Sequence, residues 1–256
     1  MTALPRILQG ALSAEWLKLR GTLALRLCGI APAVVVTLCV LQFGITDLKG
    51  RDLAPDAAWR AFGTACLGLW AFLMVPLLVT LEAALLAGLE HGDRQWKHLL
   101  ALPIPRFVHY LAKAIVLVAL LLLTSLAIVP LTALGGWALM HLHPEGGLAG
   151  WPPWWFLLRT SLGVMAGALL AAAIQLWVAV RWPSFTVAVA TGMSATVAGF
   201  MIGQSKEYGH WYPWSMPVQF LARDGVHASF VIAASLSGAL LVLAFGLWRF
   251  SRREFN

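Results

Sequence analysis

AIVLVALLLLTSLAIVPLTALGGWALM, from Ala114 to Met140, contains no Asp, Glu, Lys or Arg. Roughly 20 such residues in a helix cross the hydrocarbon of a bilayer, and this run is longer. Five more charge-free runs accompany it, at Leu27 to Thr46, Ala61 to Leu81, Thr160 to Val180, Trp182 to Ser205 and Ala228 to Trp248. They are continuously apolar and do not alternate, so their backbone groups must be satisfied inside helices and a barrel is excluded. Composition agrees: 256 residues, 60% hydrophobic, 11% charged and a mean hydropathy of +0.80 are too apolar for a soluble domain. The sequence predicts an all-α membrane protein with six transmembrane helices near 23–45, 61–82, 110–139, 157–180, 183–204 and 228–249, in one domain over 1–256.

The net charge of +7 does not call for nucleic acid once the cations are sorted by loop. Arg6, Lys18, Arg20, Arg26, Arg94, Lys97, Arg106, Lys113, Arg181, Arg249, Arg252 and Arg253 fall on one side; Lys49, Arg51, Arg60, Arg159, Lys206 and Arg223 fall on the other. Twelve against six follows the positive-inside rule with both termini in the cytoplasm. The tryptophans give the same topology. Trp59, Trp137, Trp151, Trp154, Trp155, Trp211 and Trp214 are expected at the outer interface and Trp16, Trp96, Trp182 and Trp248 at the inner one, with Trp70 deep. Cys28, Cys39 and Cys66 lie within spans and read as small apolar packers, not a disulfide framework. The first run reads as a retained anchor, because the APA at Ala31 to Ala33 follows too short an apolar stretch and the run continues to Leu41.

Ahead of the first span, residues 1–21 read as an interfacial helix. Leu8, Leu12 and Leu19 gather near one face, Trp16 sits at the boundary, and Glu15, Lys18 and Arg20 are assigned to the polar side. A short solvated extension is the bland alternative. The last outer segment, GQSKEYGHWYPWSMPVQFLARDGVHA, is too apolar at Trp211, Tyr212, Trp214, Met216 and Phe220 for free solvent. It is expected to fold back as a re-entrant element between spans 5 and 6, with short helices broken at Pro213 and Pro217.

Catalytic signatures are missing from the chain. None of the five lysines follows a glycine, so there is no P-loop, and the seven histidines offer no HExxH. His141 and His143 have a ligand-like spacing without a third ligand. Glu82 is the only acidic residue expected inside a membrane helix. It is placed near the cytoplasmic end of its helix, where a carboxylate reaches water or a cation, a reading preferred to a proton relay.

The densest polar cluster is EHGDRQWKHLLALPIPR, Glu90 to Arg106, between spans 2 and 3. Glu90 to Arg94 and Asp93 to Lys97 are acid-first i,i+4 pairs, Asp93 is a candidate N-cap, and Leu89, Trp96, Leu99, Leu100 and Pro103 cluster opposite. The result is a short amphipathic helix on the cytoplasmic surface, stopped by Pro103 and Pro105. It is either a docking element for a cytosolic protein or a membrane-surface helix without a partner.

GLEHGDRQWKHLLALPIPRFVHYLAKAIVL resembles the signature of ABC-2 type exporter permeases, with Glu90, Trp96, Leu99, Leu100, Pro103, Arg106 and Lys113 at matching positions. EWLKLRGT is similar to the family's amino-terminal helix, and YPWSMP at Tyr212 to Pro217 resembles a motif of the lantibiotic-protection and bacitracin-resistance subgroup. The resemblance implies a six-span permease domain in the bacterial inner membrane. It also implies a coupling helix (Glu90, His91, Asp93, Arg94, Trp96, Lys97) contacting a separate cytosolic ATPase subunit, two copies of it, and a second permease copy or paralogue in a homo- or heterodimer. ATP and magnesium would be bound by the partner ATPase and no cofactor by this chain. The interfacial helix around Glu15, Trp16, Lys18 and Arg20 and the outer segment at Trp211, Tyr212, Pro213 and Trp214 complete the expected working parts. The cargo implied is an amphipathic peptide, lipid or drug-like molecule, with no substrate-binding residue assigned. Two other classes remain: a secondary transporter, which needs buried ion-coupling groups in broken helices, and a non-transporting membrane partner of a larger complex.

Overall fold

The computed structural model describes residues 3–45, 54–91, 106–144 and 147–251. Among them there is no strand, and six helices are long and apolar enough to cross a membrane. These are span 1 Leu23–Ile45, span 2 Pro55–Gly88, span 3 Phe107–Leu142, span 4 Trp154–Arg181, span 5 Phe185–Ile202 and span 6 Ala228–Ser251. One charge-free run falls on each, and the fold is an all-α membrane protein as expected. A further helix, Ala3–Leu19, precedes them.

Local chemistry explains the helix limits. Pro55 begins span 2 because a first-turn residue has no intrahelical acceptor for the N–H that proline lacks. The helix therefore starts before the apolar run and carries Asp56 and Arg60 in its opening turns. Ser184 starts span 5 as its N-cap, accepting from the Val187 N–H at 3.3 Å. Between the amino-terminal helix and span 1 the chain reverses at Gly21, whose φ of 79° is the left-handed geometry that suits glycine after a helix end. Span 2 widens into a π-helical turn at Trp70–Met74, where the Val75 N–H reaches back to Trp70 O. Pro76 follows at once; its ring would press on the carbonyl four residues earlier, and the widened turn makes room for it.

Span 4 is the most buried of the six, and spans 5 and 6 are the least. Close helix approaches are set by small residues, as is usual where lipid offers no hydrophobic drive. At Gly136 in span 3 a Cβ would lie 2.2 Å from the Trp59 ring. That slot takes the indole in, buries it, and lets its N–H donate to Ala149 O at 3.0 Å. Trp59 thus packs against protein at the start of span 2, and Trp214 is buried as well. Trp70 is fully buried, as expected, and Trp151, Trp155, Trp211, Trp16 and Trp248 are exposed.

The segment between spans 5 and 6 folds back onto the bundle. Tyr212 donates to Ala195 O at 3.0 Å and Gln219 Nε2 to Gly203 O at 2.6 Å, both toward span 5. Phe220 sits against Gly163 of span 4, where a Cβ would come within 2.0 Å of its ring. Pro213 and Pro217 do not both break helices. Pro217 lies in the first turn of a short helix, Met216–Gln219, where its missing N–H costs nothing. Of the predicted coupling element, Glu90 to Arg106, residues 92–105 lie outside the described residues; Glu90 and His91 continue the helix of span 2, and Arg106 begins that of span 3.

Candidate functional site

Both described ends of the chain lie at one end of the bundle. Phe250 of span 6 stacks on Tyr110 at the start of span 3, with ring centroids 6.0 Å apart. The amino-terminal helix packs beside them: Ala11, Val108 and Ala112 form a small buried cluster with Ile7, Leu8, Leu12 and Phe107 around it.

That contact brings Glu15 over Lys113. Lys113 is 1% exposed, Glu15 only 4%. Lys113 Nζ donates to Glu15 Oε2 at 3.2 Å and to the Leu86 carbonyl, near the end of span 2, at 3.0 Å. Lys18 Nζ reaches the other carboxylate oxygen, Oε1, at 3.0 Å. One ammonium group therefore ties three elements together: the amino-terminal helix, the last turns of span 2 and the first turns of span 3. Burial alone would push the Glu15 carboxyl up, but the charges and hydrogen bonds of Lys113 and Lys18 outweigh it and hold the group below its ordinary value.

This corrects the assignment of Glu15 to a solvated polar face. Residues 8, 12, 15 and 19 recur at helical spacing, so Glu15 lies on the same face as Leu8, Leu12 and Leu19 and is carried into the bundle with them. Trp16, Leu17 and Arg20 are the exposed residues, and Lys18 is intermediate. The signal is the periodicity itself, which outweighs a carboxylate's preference for water once lysines are in reach. Lys113 counts in the sequence as a cytoplasmic-side cation and a position of the resemblance, and a lysine two turns into an apolar helix needs a buried acceptor or a route to the surface.

The described residues include only some of the other expected working parts. Glu90 and His91 end the helix that closes span 2, and Asp93, Arg94, Trp96 and Lys97 lie outside the described residues. Trp211, Tyr212, Pro213 and Trp214 are at the opposite end of the bundle, with Tyr212 and Trp214 packed at 5.9 Å between ring centroids. Glu82 is also corrected. It is 0% exposed and meets neither water nor, among the described residues, a cation. Cys28 Sγ donates to its Oε1 across 4.0 Å, and Oε2 has no hydrogen-bond partner.

The family described as ABC-2 family transporter protein matches residues 11–199, which include Glu15, Leu86, Lys113 and both helices flanking residues 92–105. The chain belongs to the ABC-2 transporter family. It is a multi-pass membrane permease, the transport subunit of a system whose members typically work with an ATPase subunit. Comparison with curated proteins and with solved structures returned no match. The match ends within span 5, so the fold-back segment and span 6 of this permease lie beyond it.

Proposed function

We propose that this permease couples ATP hydrolysis on a separate cytosolic ATPase subunit to export of an amphipathic molecule, through the Glu15–Lys113–Leu86 junction. The observation that carries the reading is that junction. The segment that would meet an ATPase, residues 92–105, runs from span 2 to span 3, and the same two spans are pinned to the amino-terminal helix by one buried lysine. A push on that segment would be shared among three elements and move as one body, because the tie would have to break for them to move separately.

Two ATPase copies, ATP and magnesium bound by them, and a second permease copy or paralogue complete this proposal. The excess of cations at that end supports a cytoplasmic placement of the junction. The YPWSMP motif supports a place in the peptide-antibiotic protection subgroup, in the bacterial inner membrane.

The test is copurification with candidate ATPase subunits and measurement of hydrolysis in lipid. Stable association, with hydrolysis altered by the permease, is expected; failure to associate with any ATPase overturns the proposal. Reversing charge at Glu90 or Arg94 should then uncouple hydrolysis from export in a folded permease, and normal export by those variants would remove the docking role.

A further inference from the structure

At the end opposite the Lys113 junction, a cavity of about 750 Å³ opens between span 2, span 4, the fold-back segment and the start of span 6. Its wall carries two cations, Arg60 and Arg159, each in the second turn of a span whose amino terminus lies at this end. Trp154, Trp155, Phe156 and Phe220 supply its apolar surface.

Both guanidinium groups are exposed, and neither pairs with a carboxylate among the described residues. Arg60 lies over the Phe156 ring at 5.4 Å from its centroid. Ion pairs among the described residues belong to Glu15 with Lys18 and Lys113, far from this cavity. Asp56, one helical turn before Arg60, forms none with it.

The backbone adds positive potential of its own. Pro153, Trp154, Trp155 and Phe156 line the cavity as the first turn of span 4, and that turn has no side-chain cap. Ala228, the first residue of span 6, lines it too. The uncapped amino terminus of span 4 presents N–H groups and the positive end of the helix dipole. Two planar guanidiniums beside them match the geometry of phosphate oxygens, and tryptophans at the rim suit the boundary between headgroups and acyl chains.

We propose that this cavity binds a phosphate-bearing anion, with the phosphate held by Arg60 and Arg159 and any acyl chain lying against the Trp154, Trp155 and Phe220 side. The same recognition chemistry fits the headgroup of an anionic lipid and free phosphate. The site does not depend on an ATPase partner or on the direction of transport.

The experiment is native mass spectrometry of the full chain, titrated with dioleoylphosphatidylglycerol or with dioleoylphosphatidylcholine, which has the same tails but no net charge. The anionic lipid is expected to bind about tenfold more tightly, as charge-assisted contacts with arginine should yield. R60Q/R159Q should bring the two lipids to within about twofold, R60K/R159K should retain only part of the preference because lysine keeps the charge and loses the planar fork, and R181Q/R249Q at the other end should leave it unchanged. Adding millimolar inorganic phosphate separates the sources: displacement of the lipid assigns the site to phosphate alone, and persistence of the lipid assigns it to the headgroup with its chains. Equal binding of the two lipids by the unmodified chain, or a preference that survives R60Q/R159Q, overturns the proposal.

Discussion

Replacing Lys113 with methionine tests the junction most directly, because methionine keeps the length of the side chain and removes only the ammonium. In the structure that group is 1% exposed and makes contacts of 3.2 Å to Glu15 Oε2 and 3.0 Å to Leu86 O. Breaking a buried pair from one side costs about 3–5 kcal/mol, since the remaining charge stays desolvated. Lys18 still holds Oε1 at 3.0 Å, but its side chain is 28% exposed and its contribution is screened. The lower end, about 3 kcal/mol, is therefore expected, or a fall in Tm of ~6–12 °C at the 2–4 °C per kcal/mol typical of a chain this size. E15Q/K113M should recover part of that loss, with a coupling of about 2 kcal/mol in a double-mutant cycle read by thermal unfolding in detergent. The pH dependence gives an independent sign. A carboxylate held below its ordinary value of 4.5 contributes stability that is present above that value and lost as pH falls through the lower, folded one. Unmodified protein should thus lose stability below pH 4.5, and E15Q should lack that component. A K113M chain that unfolds within ~1 °C of the unmodified one, or losses that simply add across the cycle, would refute the junction.

Glu82→Gln should be tolerated to within about 1 kcal/mol, because Glu82 has no cationic partner to lose and one of its oxygens is unpaired; a large fall in Tm would expose a partner the geometry lacks. Gly163→Leu should displace Phe220 and loosen the fold-back segment at a cost of about 1–3 kcal/mol, and unchanged protease resistance at residues 203–227 would contradict that packing. Trp59→Phe keeps the ring in its slot at Gly136 but removes the bond to Ala149 O, costing about 1 kcal/mol, whereas Trp59→Ala should cost about 3–5 kcal/mol. Equal Tm changes for the two Trp59 variants would contradict the packing of its ring in that slot.

Hydropathy and charge placed six helices, because a bilayer leaves a backbone no other way to satisfy its hydrogen bonds and a charge-free run cannot end inside it. The fold-back of YPWSMP was legible for the same reason: so many aromatic side chains in one loop must find protein or membrane to cover them. Side-chain partners were not legible, because they depend on which faces meet. Glu15 and Lys113 are 98 residues apart in the chain, and neither shows from its neighbours that the other lies 3.2 Å away. Trp59 resembled the other tryptophans at its end until Gly136, on another helix, provided its slot. Arg60 and Arg159 counted only as two charges on the sparser side. Their convergence on one cavity required spans 2, 4 and 6 to pack around the fold-back segment, and that packing is set by long-range contacts at Gly163, Gly167 and Gly199. By itself the sequence determined the number of spans and their alternating direction, since both follow from the solvent that each segment must enter. Tertiary structure alone decided which charges are paired, buried or left facing a cavity, since these depend on distances between residues far apart in the chain.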